Sequence, residues 1–210
     1  MADRGDDDID MEMILREEAH RTVDNQINTL NDIDSKVARI LRINLVILGI
    51  LLTGLSVATA PESQPNQILH YTDLINNYTI AGVSLLLLST GVAAITYTAS
   101  SLQSGLAATD LRNLLNNDYT DRQNLEGIVE GYSEWIEYNY RTNAKNAPLG
   151  TLTILLLVYS MAWLALGVKK AATGDVEPWL VTVTVLLSLT VMHFTGFVGQ
   201  VRRWHQTRNN

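Results

Sequence analysis

The sequence predicts an all-α protein, a four-span transmembrane helical bundle with helical cytoplasmic extensions. Four stretches (43–60, 80–101, 147–168 and 178–201) carry no Asp, Glu, Lys or Arg. Each is close to the roughly 20 residues that an α-helix needs to cross a bilayer. The charged residues, 18% of the 210, are gathered between and outside those stretches, which is how a mean hydropathy of +0.07 coexists with them. The intervening segments repeat apolar residues at helical rather than strand spacing. One such stretch alone is compatible with a buried soluble helix. Four in a chain this short leave too little polar sequence to cover them.

Residues 1–12 ("MADRGDDDIDME") are acidic and lack the basic start and apolar core of a signal peptide, so a disordered, solvated lead-in is expected. Residues 13–42 read as a cytoplasmic amphipathic helix. Val23, Ile27, Leu30, Asp34, Val37, Leu41, Asn44 and Leu48 recur at alternating steps of four and three, a coiled-coil-like seam that continues into the first span. Glu12–Arg16, Glu17–Arg21 and Asp32–Lys36 add carboxylates four residues ahead of cations. No break separates this helix from the span at 43–60, so one helix is expected throughout. At about 100° per residue, Asp34 and Asn44 share the seam's face, where a lone polar residue fixes register or oligomer state. Lys36, with Arg39 and Arg42, is assigned to phosphate headgroups or solvent.

The span at 80–101 lies within an uncharged run, 74–109. Asn77-Tyr78-Thr79 before it is a glycosylation sequon, expected to stay unmodified so close to the membrane. Residues 102–146 form a cytoplasmic helical region, with a turn at Asn116-Asn117-Asp118 and a capping box at Thr120 and Gln123. From there Leu125, Ile128, Val129, Tyr132, Trp135, Ile136 and Tyr140 line one helical face. A basic hinge over 141–147 and Pro148 introduce the third span, 147–168. The fourth, 178–201, has Trp179 and Trp204 near its ends as interfacial anchors, followed by a cytoplasmic tail over 202–210.

Orientation follows from the cations. Arg16, Arg21, Lys36, Arg39 and Arg42 precede the first span, Arg112, Arg122, Arg141 and Lys145 lie between the second and third, and Arg202, Arg203 and Arg208 follow the fourth. The loop at 61–79 has none, and the loop after the third span has only Lys169 and Lys170. The positive-inside rule therefore places both termini in the cytoplasm of a multi-pass cell-membrane protein.

The chemistry-bearing residues argue against an enzyme. With no Cys and with His20, His70, His193 and His205 scattered, no metal-ligand spacing occurs, and no cofactor is implied. Neither a phosphate-cradling Gly loop nor a nucleophile elbow is present, so no catalytic residue is assigned. The spans contain no mid-membrane Asp, Glu, Lys or Arg, which disfavours an ion-coupled transporter; His193 is expected to bond a neighbouring helix. The Gly196–Gly199 pair is expected to be a close-packing patch. The many Ser and Thr residues of the spans are assigned to helix packing, with a water-filled path along an oligomer axis as the alternative. A net charge of −7 with four Lys against eleven Arg suggests a salt-adapted source and no nucleic-acid partner. The seam's length favours a homo-oligomer.

The stretch "DIDSKVARILRIN" resembles the transmembrane effectors of Pycsar anti-phage systems, in a haloarchaeal form. Their pattern of an Asp, a Lys two residues on, apolar residues and an Asn at the start of a membrane helix is matched by Asp34, Lys36, Leu41, Ile43 and Asn44. It departs at Val37, where a small residue is usual, and at Arg39 and Arg42. The resemblance covers residues 20–60. It implies a membrane effector switched on by a cyclic pyrimidine nucleotide, which then impairs the membrane of an infected cell. A phosphate requires Arg or Lys donors, and Arg112, Arg141 and Lys145 are the candidates by location. A constitutive small channel or transporter subunit, and a non-permeating scaffold for a cytoplasmic partner, are the alternatives.

Overall fold

A computed structural model describes residues 4–58, 71–98 and 121–209. They are α1 (Arg4–Ala58), the single turn α2 (Tyr71–Leu74), α3 (Asn77–Thr98), α4 (Asp121–Thr173), α5 (Pro178–Phe194) and α6 (Phe197–Asn209), with no strand among the described residues. The protein is all-α. Among the described residues three helices, α1, α3 and α4, are long and apolar enough to cross a membrane, and α5 with α6 would make a fourth if the bent pair is one span.

Helix α1 is one helix over 55 residues, and it begins at Arg4, inside the stretch expected to be disordered. That expectation is corrected: once a long helix is nucleated, each residue added at its end gains a hydrogen bond at little cost. The hinge expected at 141–147 is likewise absent, because α4 runs through Pro148 without a break. An interior proline removes one backbone hydrogen bond and costs about 3 kcal/mol. Here it sits in a buried stretch with Asn146 and Gly150, and the packing of that face holds the helix together.

The chain divides into two compact units, one comprising Met1–Asp32 and Ser100–Lys145, the other Ile33–Ala99 and Asn146–Asn210. In the first, Val23 and Leu30 of α1 are buried and Ile27 half-buried. Gln26 ties α1 to α4, donating through Nε2 to the Ile136 carbonyl (3.2 Å), while Asn143 Nδ2 donates to the Gln26 carbonyl (3.1 Å). Arg21 pairs with Glu18 at 3.9 Å. Tyr140, expected on the inward face, is exposed, and the neighbouring Asn139 is buried in its place.

The second unit buries polar side chains among apolar ones such as Leu86 and Leu155, and turns many large apolar side chains outward. Asn44, Ser89, Thr153 and Ser160 are wholly buried, whereas Leu45, Val46, Ile50, Leu52, Leu87 and Leu88 are exposed. That distribution suits a hydrocarbon surround, in which packing and interhelical hydrogen bonds, not apolar burial, join helices. The inward positions Gly82, Leu86, Ser89, Ala93 and Thr96 of α3 step by four and three. Opposite them, α4 presents Asn146, Gly150, Thr153, Ser160, Leu164 and Gly167 on one face at the same period. The two run antiparallel: Ser89 Oγ donates to the Thr153 carbonyl (2.9 Å) and Ser160 Oγ to the Gly82 carbonyl (2.8 Å). Helix α5 buries no residue and lies along α4, held where Tyr159 Oη donates to the Ser188 carbonyl at 2.6 Å.

The fourth span is not the single helix expected over 178–201. Helix α5 ends at Phe194, Gly196 takes φ +65°, and α6 leaves at 50°. Seventeen residues span about 26 Å at 1.5 Å each, short of a bilayer's hydrocarbon core of about 30 Å, so α5 would cross it only together with α6. Helix α6 continues into the stretch assigned to the C-terminal tail. Nor is Gly196–Gly199 a close-packing patch, since a Cβ on either glycine would meet open space. Gly196 supplies instead the left-handed conformation that ends α5.

Candidate functional site

Two places in the structure gather polar side chains, one in each unit. In the first unit α1 and α4 line a cavity of about 840 Å³ with Met13, Ile14, Arg16, Glu17, His20, Ile128 and Tyr132. The floor is aromatic and ordered: His20 meets the Tyr132 ring edge-on at 5.9 Å, and Tyr132 meets Trp135 in the same way at 5.0 Å. His20 Nδ1 lies 3.1 Å from Asp24, four residues on, which fixes the imidazole's orientation. One guanidinium and one carboxylate, from Arg16 and Glu17, are thus set beside an aromatic ring and three apolar side chains. The cavity is an open cleft, with Met13, Ile14, Arg16, Glu17 and His20 all exposed, and it offers contacts to a small molecule with an anionic group and a flat, hydrogen-bonding body.

The second place is the interior of the second unit, where the three apolar helices meet at a fully buried relay. Asn44 Nδ2 donates to Ser89 Oγ at 3.0 Å, and the Ser89 hydroxyl in turn donates a hydrogen bond to the Thr153 carbonyl. Asn44 Oδ1 is buried and finds no hydrogen-bond donor among the described residues. An orphaned buried acceptor costs about 1–3 kcal/mol, so the relay fixes which residues face one another at some cost in stability. Most other hydroxyls of the spans turn back on their own helix. Thr53 donates to Gly49, Thr90 to Leu86, Thr182 to Pro178 and Thr190 to Leu186.

Of the residues singled out in the sequence, Asn44 is wholly buried and Asp34 half-buried on the same face of α1, while Lys36, Arg39 and Arg42 are exposed. Arg112 lies outside the described residues, as do the Asn116-Asn117-Asp118 turn and Thr120 of the capping box. Arg141 and Lys145 are exposed on α4, with Arg141 bonded to Glu137 at 2.5 Å, and neither is among the described residues lining the cavity. The structure brings together Arg16 and His20 instead. Their signal in the sequence is faint, because an Arg and a His one turn apart on an exposed helix read as an ordinary solvated face. His193 is exposed beside Phe194. Among the described residues no group of His, Cys, Asp and Glu is arranged to hold a metal ion. No family model, curated protein or solved structure matches the chain.

Proposed function

We propose that this chain is a ligand-responsive membrane effector of the kind that its opening helix resembles. It sits in the cell membrane as a homo-oligomer with both termini in the cytoplasm, takes up a cyclic pyrimidine nucleotide, and then lowers the membrane's barrier. The observation that carries this reading is the cavity of the first unit. Arg16 supplies the charge-assisted donor a cyclic phosphate needs, Glu17 an acceptor for an amino or imino edge, and Tyr132 an aromatic face for the base. Antiviral defence is the biological role that the resemblance implies.

With Asn44, Ser89 and Thr153 in direct hydrogen-bond contact, three helices close on one another at that level, and a conductive path has to form between copies. The test is dye efflux from liposomes containing the purified protein, with and without cyclic CMP or cyclic UMP. Efflux that depends on one of these nucleotides, and that falls at least tenfold in sensitivity in Arg16→Gln, is the expected result. Efflux without any nucleotide would establish the constitutive channel, and none under any condition would leave the scaffold.

A further inference from the structure

The second unit contains another cavity, of about 450 Å³, where α3 begins and α4 ends, lined by Asp73, Ile75, Asn76, Asn77, Lys170, Ala171 and Gly174. Its frame is rigid. Asn76 uses its whole side chain to build it: Oδ1 accepts the Tyr78 and Thr79 amides at 3.1 Å, and Nδ2 donates to the Asp73 and Gly167 carbonyls at 3.0 Å. The first amides of α3 are therefore already satisfied, and the groups left to meet a guest are the Lys170 ammonium, the Asn77 amide and the Asp73 carboxylate.

The two neighbouring lysines are used differently. Lys169 is bonded to Glu177 at 2.6 Å, whereas the Lys170 ammonium stands 5.6 Å over the Tyr78 ring, which itself stacks on Trp163 at 5.8 Å. A cation over an aromatic face keeps its N–H donors for a further partner. A Tyr–Trp pair at the end of two membrane-crossing helices marks the interfacial layer where headgroups lie. Beside the cavity the surface turns apolar at once, with Ile75, Ile80 and Val168 all more than half exposed. A guest with a polar head and hydrocarbon tails matches this sequence of surfaces. Lys170 and Asn77 meet a phosphate, Asp73 accepts from head hydroxyls, and the tails run over Ile80 and Val168.

We propose that this cavity is a binding site for an anionic phospholipid, with the phosphoglycerol head inside it. The test is thermal unfolding of the full chain in a neutral detergent, titrated with dihexanoyl phosphatidylglycerol, dihexanoyl phosphatidylcholine or inorganic phosphate. Phosphatidylglycerol is expected to raise Tm by a few degrees with a saturating dose dependence, and the other two to have little effect. Lys170→Gln is expected to weaken the apparent affinity at least tenfold, with Lys169→Gln responding as the parent does. The proposal is overturned if phosphatidylcholine matches phosphatidylglycerol, if phosphate alone reproduces the shift, or if Lys170→Gln responds like the parent.

Discussion

At Asn44 a single side chain carries both a satisfied donor and an unsatisfied acceptor, so its replacement separates stability from specificity. Asn44→Leu removes one hydrogen bond, a net contribution of about 0.5–1.5 kcal/mol, and also removes a stranded carbonyl of similar or larger cost. Tm should therefore move little, and upward if at all, while the distribution of oligomers in detergent, read by light scattering, should shift. Lys36→Gln, at an exposed position on the same helix, should change neither, and equal tolerance of both by the oligomer would remove Asn44 from any role in register. The glycines divide just as sharply. A Cβ at Gly82 would lie 2.9 Å from the Leu164 backbone nitrogen, and one at Gly167 would collide with Thr79, whereas one at Gly91 meets open space. Gly82→Ala and Gly167→Ala should each lose about 1–3 kcal/mol by overpacking. Gly91→Ala should instead gain up to about 1 kcal/mol from helix propensity, and thermal unfolding of the three variants decides.

At the scale of the element, what a helix buries determines how much of it can be read in advance. The inward face of α1 is written in Val23, Ile27, Leu30, Val37, Leu41 and Leu48, and an apolar period is visible without a structure. The inward face of α4 mixes Asn139, Asn146, Gly150, Thr153, Ser160 and Gly167 with Leu155 and Leu164, so its apolar signal is diluted by small and polar residues at the same period. Tyr140 fits the apolar period and Asn139 does not, yet Asn139 is the one buried. A membrane interior reverses the usual cue, because lipid competes for apolar side chains and leaves small and polar ones to join helices. The cavity residues Arg16 and His20 were hidden by the opposite effect, exposed charge being the commonest thing on a helix. The fourth span was misread at Gly196, where one residue with positive φ replaces a straight helix by a bent pair. Gly196→Ala should cost about 1–2 kcal/mol through the left-handed conformation, whereas Gly199→Ala, helical and open at its Cβ, should be neutral or gain up to about 1 kcal/mol as Gly91→Ala does, as thermal unfolding would show. The link between α4 and α5 is pH-dependent. The hydrogen bond from Lys169 holds the Glu177 carboxyl below its usual range. A group with a depressed folded pKa stabilises above its unfolded pKa and stops doing so as pH falls through the folded one. The small Tm difference between the parent and Glu177→Gln should therefore be present at neutral pH and vanish in the acid range.

For the whole molecule, the decisive property is which way the chain faces, because an intracellular nucleotide reaches the cavity of the first unit only from the cytoplasm. The positive-inside rule gives the expectation to be tested, with Arg16, Arg141 and Lys145 inside and the Lys169–Glu177 segment outside. The absence of cysteine makes this directly measurable, since any thiol introduced is the only one present. Lys145 and Asp175 are both exposed and lie on opposite sides of the third span. Asp175→Cys should react with a membrane-impermeant maleimide in intact cells, and Lys145→Cys only after the cells are opened. The reverse pattern would turn the first unit outward, removing a cytoplasmic nucleotide as its ligand while leaving the helix packing untouched. Labelling of both in intact cells would mean that the third span does not cross. Only the expected pattern joins the two halves of the proposal, a cavity that meets a cytoplasmic signal and a bundle whose buried Asn44, Ser89 and Thr153 stand within the barrier that the signal would open.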